Sequence, residues 1–289
     1  MFAVAGASGQ LGRLAIADLL ARVPADQIAA LVRDPGKVAG MAALGIAVRE
    51  ADYDRPETLE PALAGIERLL LISGSEVGQR QRQHQAVIDA AVAAGVRFIC
   101  YTSVLHADRS TIGLAEEHRQ TEAAIRASGL RFALLRNGWY SENYTGALAP
   151  SIEFGVIAGS SGEGRISAAP RKDYATAAAA VLAAGDANAV HELAGDAAFT
   201  MAEFAAEVSR QAGKTVVYQD MPEAAYAGML ESVGLPAPIA AMIADSSFRA
   251  SKDMLFDDSG TLSRLIGRPT TPIAASIAEA LETVGAGSV

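Results

Sequence analysis

The chain has 289 residues, 51% of them hydrophobic and 20% charged, with a net charge of −9 at neutral pH. That length suffices for one large or two ordinary domains with a substantial core, and the composition excludes wholesale disorder. With only four scattered lysines (Lys37, Lys172, Lys214, Lys252), the chain lacks the basic face that a large nucleic-acid footprint needs, so no nucleic-acid partner is expected. The single cysteine, Cys100, forbids an intramolecular disulfide and any multi-cysteine metal site. His84, His106, His118 and His191 fall at no metal-ligating spacing, so no metal is expected. No run approaches the roughly 18 apolar residues of a membrane span, and the first apolar stretch enters a glycine loop without a leader pattern. The expectation is a soluble, cytoplasmic protein.

In chain order, Phe2–Ala5 predicts a strand, and Leu11–Val23 a helix with a broad apolar stripe. Ile28–Val32 is the next strand. Asp34-Pro35 opens a helix by its own chemistry, a carboxylate at the N-cap and proline at the first helical position. That helix closes at Gly45, and Ile46–Val48 resumes extended structure. The cycle repeats with helices over Pro56–Leu63, Arg80–Ala94 and Leu114–Ala127, which end at Gly65, Gly95 and Gly129. The strands between and after them are Leu69–Ile72, Phe98–Thr102 and Arg131–Leu135. Short, almost wholly apolar strands separated by helices belong to a parallel sheet covered on both faces. After Arg136 the rhythm loosens into a Gly/Ser-dense stretch from Gly155 to Gly164. There follow an alanine-rich helix from Arg171, a capping box at Thr200–Glu203 opening a helix to Gly213, a short strand at Val216–Tyr218, and a terminal helix over Pro272–Val284. The fold class is therefore α/β, a Rossmann-type doubly wound parallel sheet, with a smaller, mostly helical C-terminal lobe. The division expected is residues 1–136 for the first domain and 137–289 for the lobe, interleaved with it and closing a cleft.

Directly after the first strand comes Gly6-Ala7-Ser8-Gly9-Gln10-Leu11-Gly12, which opens the first helix. Glycines here serve a tight turn, close approach of a pyrophosphate, and close helix–strand packing, while the helix N–H groups hold the anion. The position between strand and helix supplies the context that a bare glycine triplet lacks. The choice of dinucleotide turns on the end of the second strand, Leu31-Val32-Arg33-Asp34. Asp34 is explained as a cap before Pro35. Arg33 has no such structural reason, and its guanidinium suits a 2′-phosphate, so NADPH is favoured over NADH.

A Tyr-x-x-x-Lys pair for proton donation is missing, since none of the seven tyrosines has lysine four residues later. The helix that would carry it reads His118-Arg119-Gln120-Thr121-Glu122, with His118 and Glu122 on one face. That face is read as a solvated helix side in preference to a proton relay. No Gly-x-Ser-x-Gly elbow marks a hydrolase. Ligands of open parallel sheets bind at the strands' carboxyl ends. Here those are Ser73-Gly74-Ser75, Thr102-Ser103, and Asn137-Gly138-Trp139-Tyr140-Ser141-Glu142 with Tyr144 beyond. In the last segment polar side chains could orient a nicotinamide. Trp139 and Tyr140 could form a flat wall, seal the junction between lobes, or do both.

The segments GASGQLG at 6–12, VRDP at 32–35, LLLISGSEVGQR at 69–80, YTSVLHAD at 101–108, LLRNGWYSENY at 134–144, HELAGD at 191–196 and LFDDSGTLSRLIG at 255–267 span nearly the whole chain. Together they resemble the NmrA-like atypical short-chain dehydrogenases and, among these, the bacterial flavin-free (type 2) NAD(P)H:quinone oxidoreductases. The resemblance implies NADPH contacts from Gly6, Ala7, Ser8, Gly9, Gln10 and Leu11, from Arg33, and from Ser73, Gly74 and Ser75. It further implies contacts from Asn137, Gly138, Trp139, Tyr140, Ser141 and Glu142, and from Arg171, with a quinone pocket between the lobes. Asn137 and Tyr140 are the expected catalytic residues, acting by orienting the reactants and not as an indispensable acid. Relatives of this kind include NADP(H) sensors without turnover and reductases of triarylmethane dyes, and the sequence leaves both open. It also leaves open the oligomeric state, a homodimer included.

Overall fold

The computed structural model describes residues 1–185 and 188–286. The strands among these are β1 (Phe2–Ala5), β2 (Ile28–Val32), β3 (Ala47–Glu50), β4 (Arg68–Leu71), β5 (Phe98–Val104), β6 (Arg131–Asn137), β7 (Val156–Gly159), β8 (Ala189–Leu193) and β9 (Val217–Asp220). Seven of them form one parallel sheet in the order β3-β2-β1-β4-β5-β6-β8, and β7 pairs with β9 in a small second sheet. The helices are α1 (Gln10–Leu20), α2 (Ala39–Ala43), α3 (Leu59–Leu63), α4 (Arg80–Ala93), α5 (Ala115–Ala127), α6 (Glu142–Thr145) and α7 (Leu148–Phe154). They continue with α8 (Arg171–Ala184), α9 (Met201–Ala212), α10 (Glu223–Ser232), α11 (Ala237–Ala250), α12 (Thr261–Ile266) and α13 (Ile273–Ala286). None of the described helices is long and apolar enough to cross a membrane.

Alternation along each strand divides the apolar side chains between two cores. Val4, Ala30, Val32, Leu70, Cys100 and Leu135 point to the face covered by α1 and α8. Ala3, Ala5, Leu31, Leu69, Leu71 and Ile99 point to the face covered by α3, α4 and α5. A third core, built on Phe199, Phe204, Val208, Val216 and Ile277, holds the C-terminal lobe together. Two local expectations have clear physical counterparts. The Asp34 side chain accepts from Gly36 N–H at 2.9 Å ahead of a short 3₁₀ turn over Pro35–Val38. Thr200 and Glu203 form the reciprocal capping box of α9.

The main departure concerns the second half of the chain, which returns to the first sheet. Helix α8 packs on α1, with Thr176 Oγ1 donating to Asp18 Oδ2 at 2.8 Å. Strand β8 then adds a seventh strand beside β6, pairing Ala133 with Ala189 and Asn137 with Leu193. The alanine-rich sequence of α8 is the reason for its fit, because Ala175, Ala177, Ala178 and Ala179 are all buried between α1 and the sheet. Six strands are legible from the sequence, but β8 is an edge strand carrying His191 and Glu192, and it lacks their apolar signature.

At Gly12 the packing is tight enough to exclude a side chain. A Cβ there would lie 2.4 Å from the Gly6 carbonyl oxygen and 2.8 Å from Ala7 Cα, both backbone atoms. Gly12→Ala should therefore lower the free energy of unfolding by about 1–3 kcal/mol, despite the better helix propensity of alanine. Urea denaturation of the two proteins measures this directly.

Candidate functional site

The strand order reverses between β1 and β4, which opens a crevice at their carboxyl ends. The turns after β2, β1, β4, β5 and β6 line up along this edge over roughly 19 Å, at about 4.8 Å per strand. Such a span suits an elongated ligand with two recognised ends.

After β1, Gly6 takes a left-handed conformation (φ 75°) and turns the chain into α1, whose N-cap is Gly9. No side chain caps this helix, so its first N–H groups and the positive end of its dipole are left to a ligand. After β4, the Ser73–Ser75 turn is held from beneath. Ser73 N–H donates to Thr102 Oγ1 at 2.9 Å, Gly74 N–H donates to His84 Nε2 at 3.0 Å, and Arg80 Nε donates to the Gly74 carbonyl at 2.6 Å. After β2, the exposed Arg33 guanidinium reaches across to Glu76 at 3.0 Å.

Past the end of β6 the chain runs through Gly138–Ser141 into α6. Asn137 is buried, and its Oδ1 has no hydrogen-bond partner; Ser141 Oγ is likewise buried and unpartnered. The Tyr140 ring stands edge-on to buried Tyr174 at 5.3 Å, with the Arg171 guanidinium 4.6 Å above it. Glu142 accepts the Arg171 backbone N–H at 3.0 and 3.1 Å, which places a carboxylate at the start of α8. Burial raises the Tyr140 pKa against the opposing influence of Asn137 and Arg171, so the phenol stays protonated at neutral pH. Trp139 packs between the C-terminal core and the Val104–Ala107–Ala115 cluster, while Tyr140 packs on the first core. Trp139 thus joins two apolar clusters, while Tyr140 lies on the core beneath the sheet.

The expectation of a solvated α5 face is overturned, because His118 and Glu122 are both buried against the sheet. They do not form a relay either. His118 Nδ1 shares a 2.8 Å hydrogen bond with the Tyr101 hydroxyl, and burial, with the Arg80 and His84 charges, pushes its pKa down to about 3. Glu122 accepts from Ser103 at 2.6 Å and from Arg136 twice at 2.9 Å. Burial alone would raise the Glu122 pKa, but the Arg136 and Ser103 hydrogen bonds outweigh it and lower it. Arg136 also binds Glu192 at 2.8 Å and Asp108 at 2.9 Å. This cluster lies beside Asn137, and sequence reasoning missed it. Its one sequence signal is an arginine at the end of an otherwise apolar strand.

The crevice fits a dinucleotide: an uncapped helix start behind a left-handed glycine turn, an arginine at one end, and an orphaned buried amide oxygen at the other. Residues 6–185 match the NAD(P)H-binding family. The chain belongs to this family.

Quinone oxidoreductase 2 of Escherichia coli (strain K12) is 55% identical over 278 residues, covering 96% of this chain and 97% of that protein. The crystal structure of the E. coli NADPH-dependent quinone oxidoreductase complexed with NADPH superimposes with a TM-score of 0.95 at 54% identity, over 96% of this chain and 99% of that one. The triphenylmethane reductase of Citrobacter sp., complexed with NADP(H), gives 0.93 at 37% identity, over 97% and 100%.

Behind the NAD(P)H-binding crevice, the two buried histidines make stability depend on pH. Desolvation, with the Arg80 charge, pushes His84 down to about 4, and His118 lies at about 3. Both are neutral in the fold but protonate near pH 6.5 when unfolded. The unfolded chain therefore binds more protons below that pH, and stability falls as pH drops. The free energy of unfolding should be lower at pH 5 than at pH 7 by roughly 3 kcal/mol, measured by urea titration at each pH. A flat profile would place the imidazoles in water.

Proposed function

We propose that this chain is an NADPH-dependent quinone oxidoreductase that works by direct hydride transfer without flavin or metal. The observation that carries the reading is the orphaned Asn137 Oδ1, buried at the carboxyl end of β6 in line with the uncapped start of α1. A buried acceptor left unpaired costs about 1–3 kcal/mol, and a nicotinamide carboxamide N–H would satisfy it. When bound, the nicotinamide supplies the hydride, and one proton from water completes the conversion of quinone to hydroquinone.

The residues divide the remaining work. Gly6 through Leu11 bind the pyrophosphate on the N–H groups of α1, Ser73–Ser75 line the middle of the crevice, and Arg33 takes the 2′-phosphate. Asn137, with Gly138 and Ser141, orients the nicotinamide. Tyr140 and Trp139 form the wall against which the planar acceptor lies, and Glu142 with Arg171 fixes that wall to α8. Residues 1–136 act as the NADP-binding domain, and 137–289 as the lobe closing the cleft, interleaved with it through α8 and β8. All these groups come from one chain, so a homodimer would carry two complete sites. The reading puts the enzyme in the cytoplasm, acting on small quinones.

Without a lysine-tuned tyrosine, rate comes from holding two flat rings face to face. Likeness to the Citrobacter triphenylmethane reductase favours conjugated dyes as second acceptors. NADPH oxidation should therefore be followed with protein shown to be colourless, against a panel of para-quinones and triarylmethane dyes. Turnover with quinones is expected; tight NADPH binding with no turnover on any acceptor would make the protein a sensor. Tyr140→Phe should keep most of the activity, while Tyr140→Ala and Asn137→Ala should each lose up to about a hundredfold in rate. Loss of turnover in Tyr140→Phe with unchanged NADPH affinity would make the phenol the proton donor.

A further inference from the structure

We propose that Glu76 sets how strongly the crevice prefers a 2′-phosphorylated cofactor, by competing with that phosphate for the Arg33 guanidinium. The proposal rests on the reading of Arg33 given above and adds a second residue to it, from a different turn of the sheet edge.

Glu76 is not a wandering surface carboxylate. One oxygen takes Arg33 at 3.0 Å, and the other accepts from Gln83 Nε2 at 3.0 Å. Gln83 is itself buried, and its amide also reaches both oxygens of Asp54, at 3.2 and 3.3 Å. Asp54 in turn pairs with Arg82. The same corner holds the Tyr53 hydroxyl, buried without a partner and subject to the Arg33 charge. A fixed anion thus stands one hydrogen bond from the cation that the 2′-phosphate must reach.

Two consequences follow from charge alone. A phosphate arriving at Arg33 must displace Glu76 or share the guanidinium with it, and in either case the neighbouring negative charge weakens NADPH binding. A 2′-hydroxyl brings no charge and can donate to the same carboxylate, as an acidic residue does where NADH is the cofactor. Glu76 therefore lowers selectivity by working against one cofactor and with the other. Exposed ion pairs and like-charge contacts of this kind change binding constants by a factor of about two to five at low salt.

The test is direct titration of NADPH and NADH, by calorimetry or quenching of protein fluorescence, into wild type, Glu76→Gln, Arg33→Ala and the double variant. Glu76→Gln should tighten NADPH about two- to fivefold and leave NADH equal or weaker, so that the ratio of the two dissociation constants rises. The gain should shrink as salt is raised, because the pair is exposed. In the Arg33→Ala background most of the gain should vanish. NADH binding by each variant reports that the crevice is intact. If Arg33→Ala collapses the ratio while Glu76→Gln leaves it unchanged, or shifts both cofactors equally, the role of Glu76 is overturned and that of Arg33 stands. If Arg33→Ala itself leaves the ratio unchanged, the 2′-phosphate lies elsewhere and both assignments fall.

Discussion

The architecture around the crevice depends on one buried guanidinium. Arg136, at the end of β6, is 5% exposed and meets Glu122 on α5, Glu192 on β8 and Asp108 in the turn after β5. Four segments distant in sequence are thereby tied to one side chain. A buried charge stripped of its partner destabilises a fold by about 3–5 kcal/mol, so these segments hold their relative positions together or not at all. The next residue in the chain is Asn137, whose backbone carbonyl accepts Leu105 N–H at 2.8 Å. The buried Asn137 amide therefore rests on a rigid base.

The same cluster explains why the polar face of α5 offers no general acid. His118 and Glu122 stand at the four-residue spacing of a Tyr-x-x-x-Lys pair on α5, and both are consumed by structure. A neutral imidazole bonded to Tyr101 and an ionised carboxylate saturated by Ser103, Arg136 and Arg126 have no proton to give at neutral pH. A quinone makes that sacrifice harmless, because hydride transfer leaves an anion that takes its one remaining proton from water. Catalytic power then has to come from orientation, which is the property that a saturated network beneath the site supplies.

Much of this was legible in the residues themselves. The bounds of β1 and β2, the Asp34 cap and the Thr200 capping box follow from local chemistry alone, and the structure keeps them. Strand β8 was hidden because its extended state comes from pairing with β6, not from its own composition; Ala189–Leu193 is half exposed and carries two polar residues. The burial of His118 and Glu122 was hidden for a related reason. Their partners Tyr101, Ser103 and Arg136 lie 17, 19 and 14 residues away, and a polar helix face reads as solvated until those partners are known. Glu76 carried no signal, since only folding brings its turn up to Arg33.

The two ends of the crevice differ in a way that follows from burial. At the β6 end, Asn137 and Ser141 are enclosed, so each unmatched hydrogen bond is felt in full and geometry is exacting. At the Arg33 end the contacts are exposed and screened, so each is weak and readily exchanged. A coenzyme that must bind, react and leave in every cycle is served by that division. Under the proposed assignment the enclosed end would fix where the hydride goes, and the open end would set the choice of cofactor through a single surface charge without disturbing the chemistry. The uncapped start of α1 lies between them and would take the pyrophosphate that both cofactors share, which leaves discrimination to the exposed end.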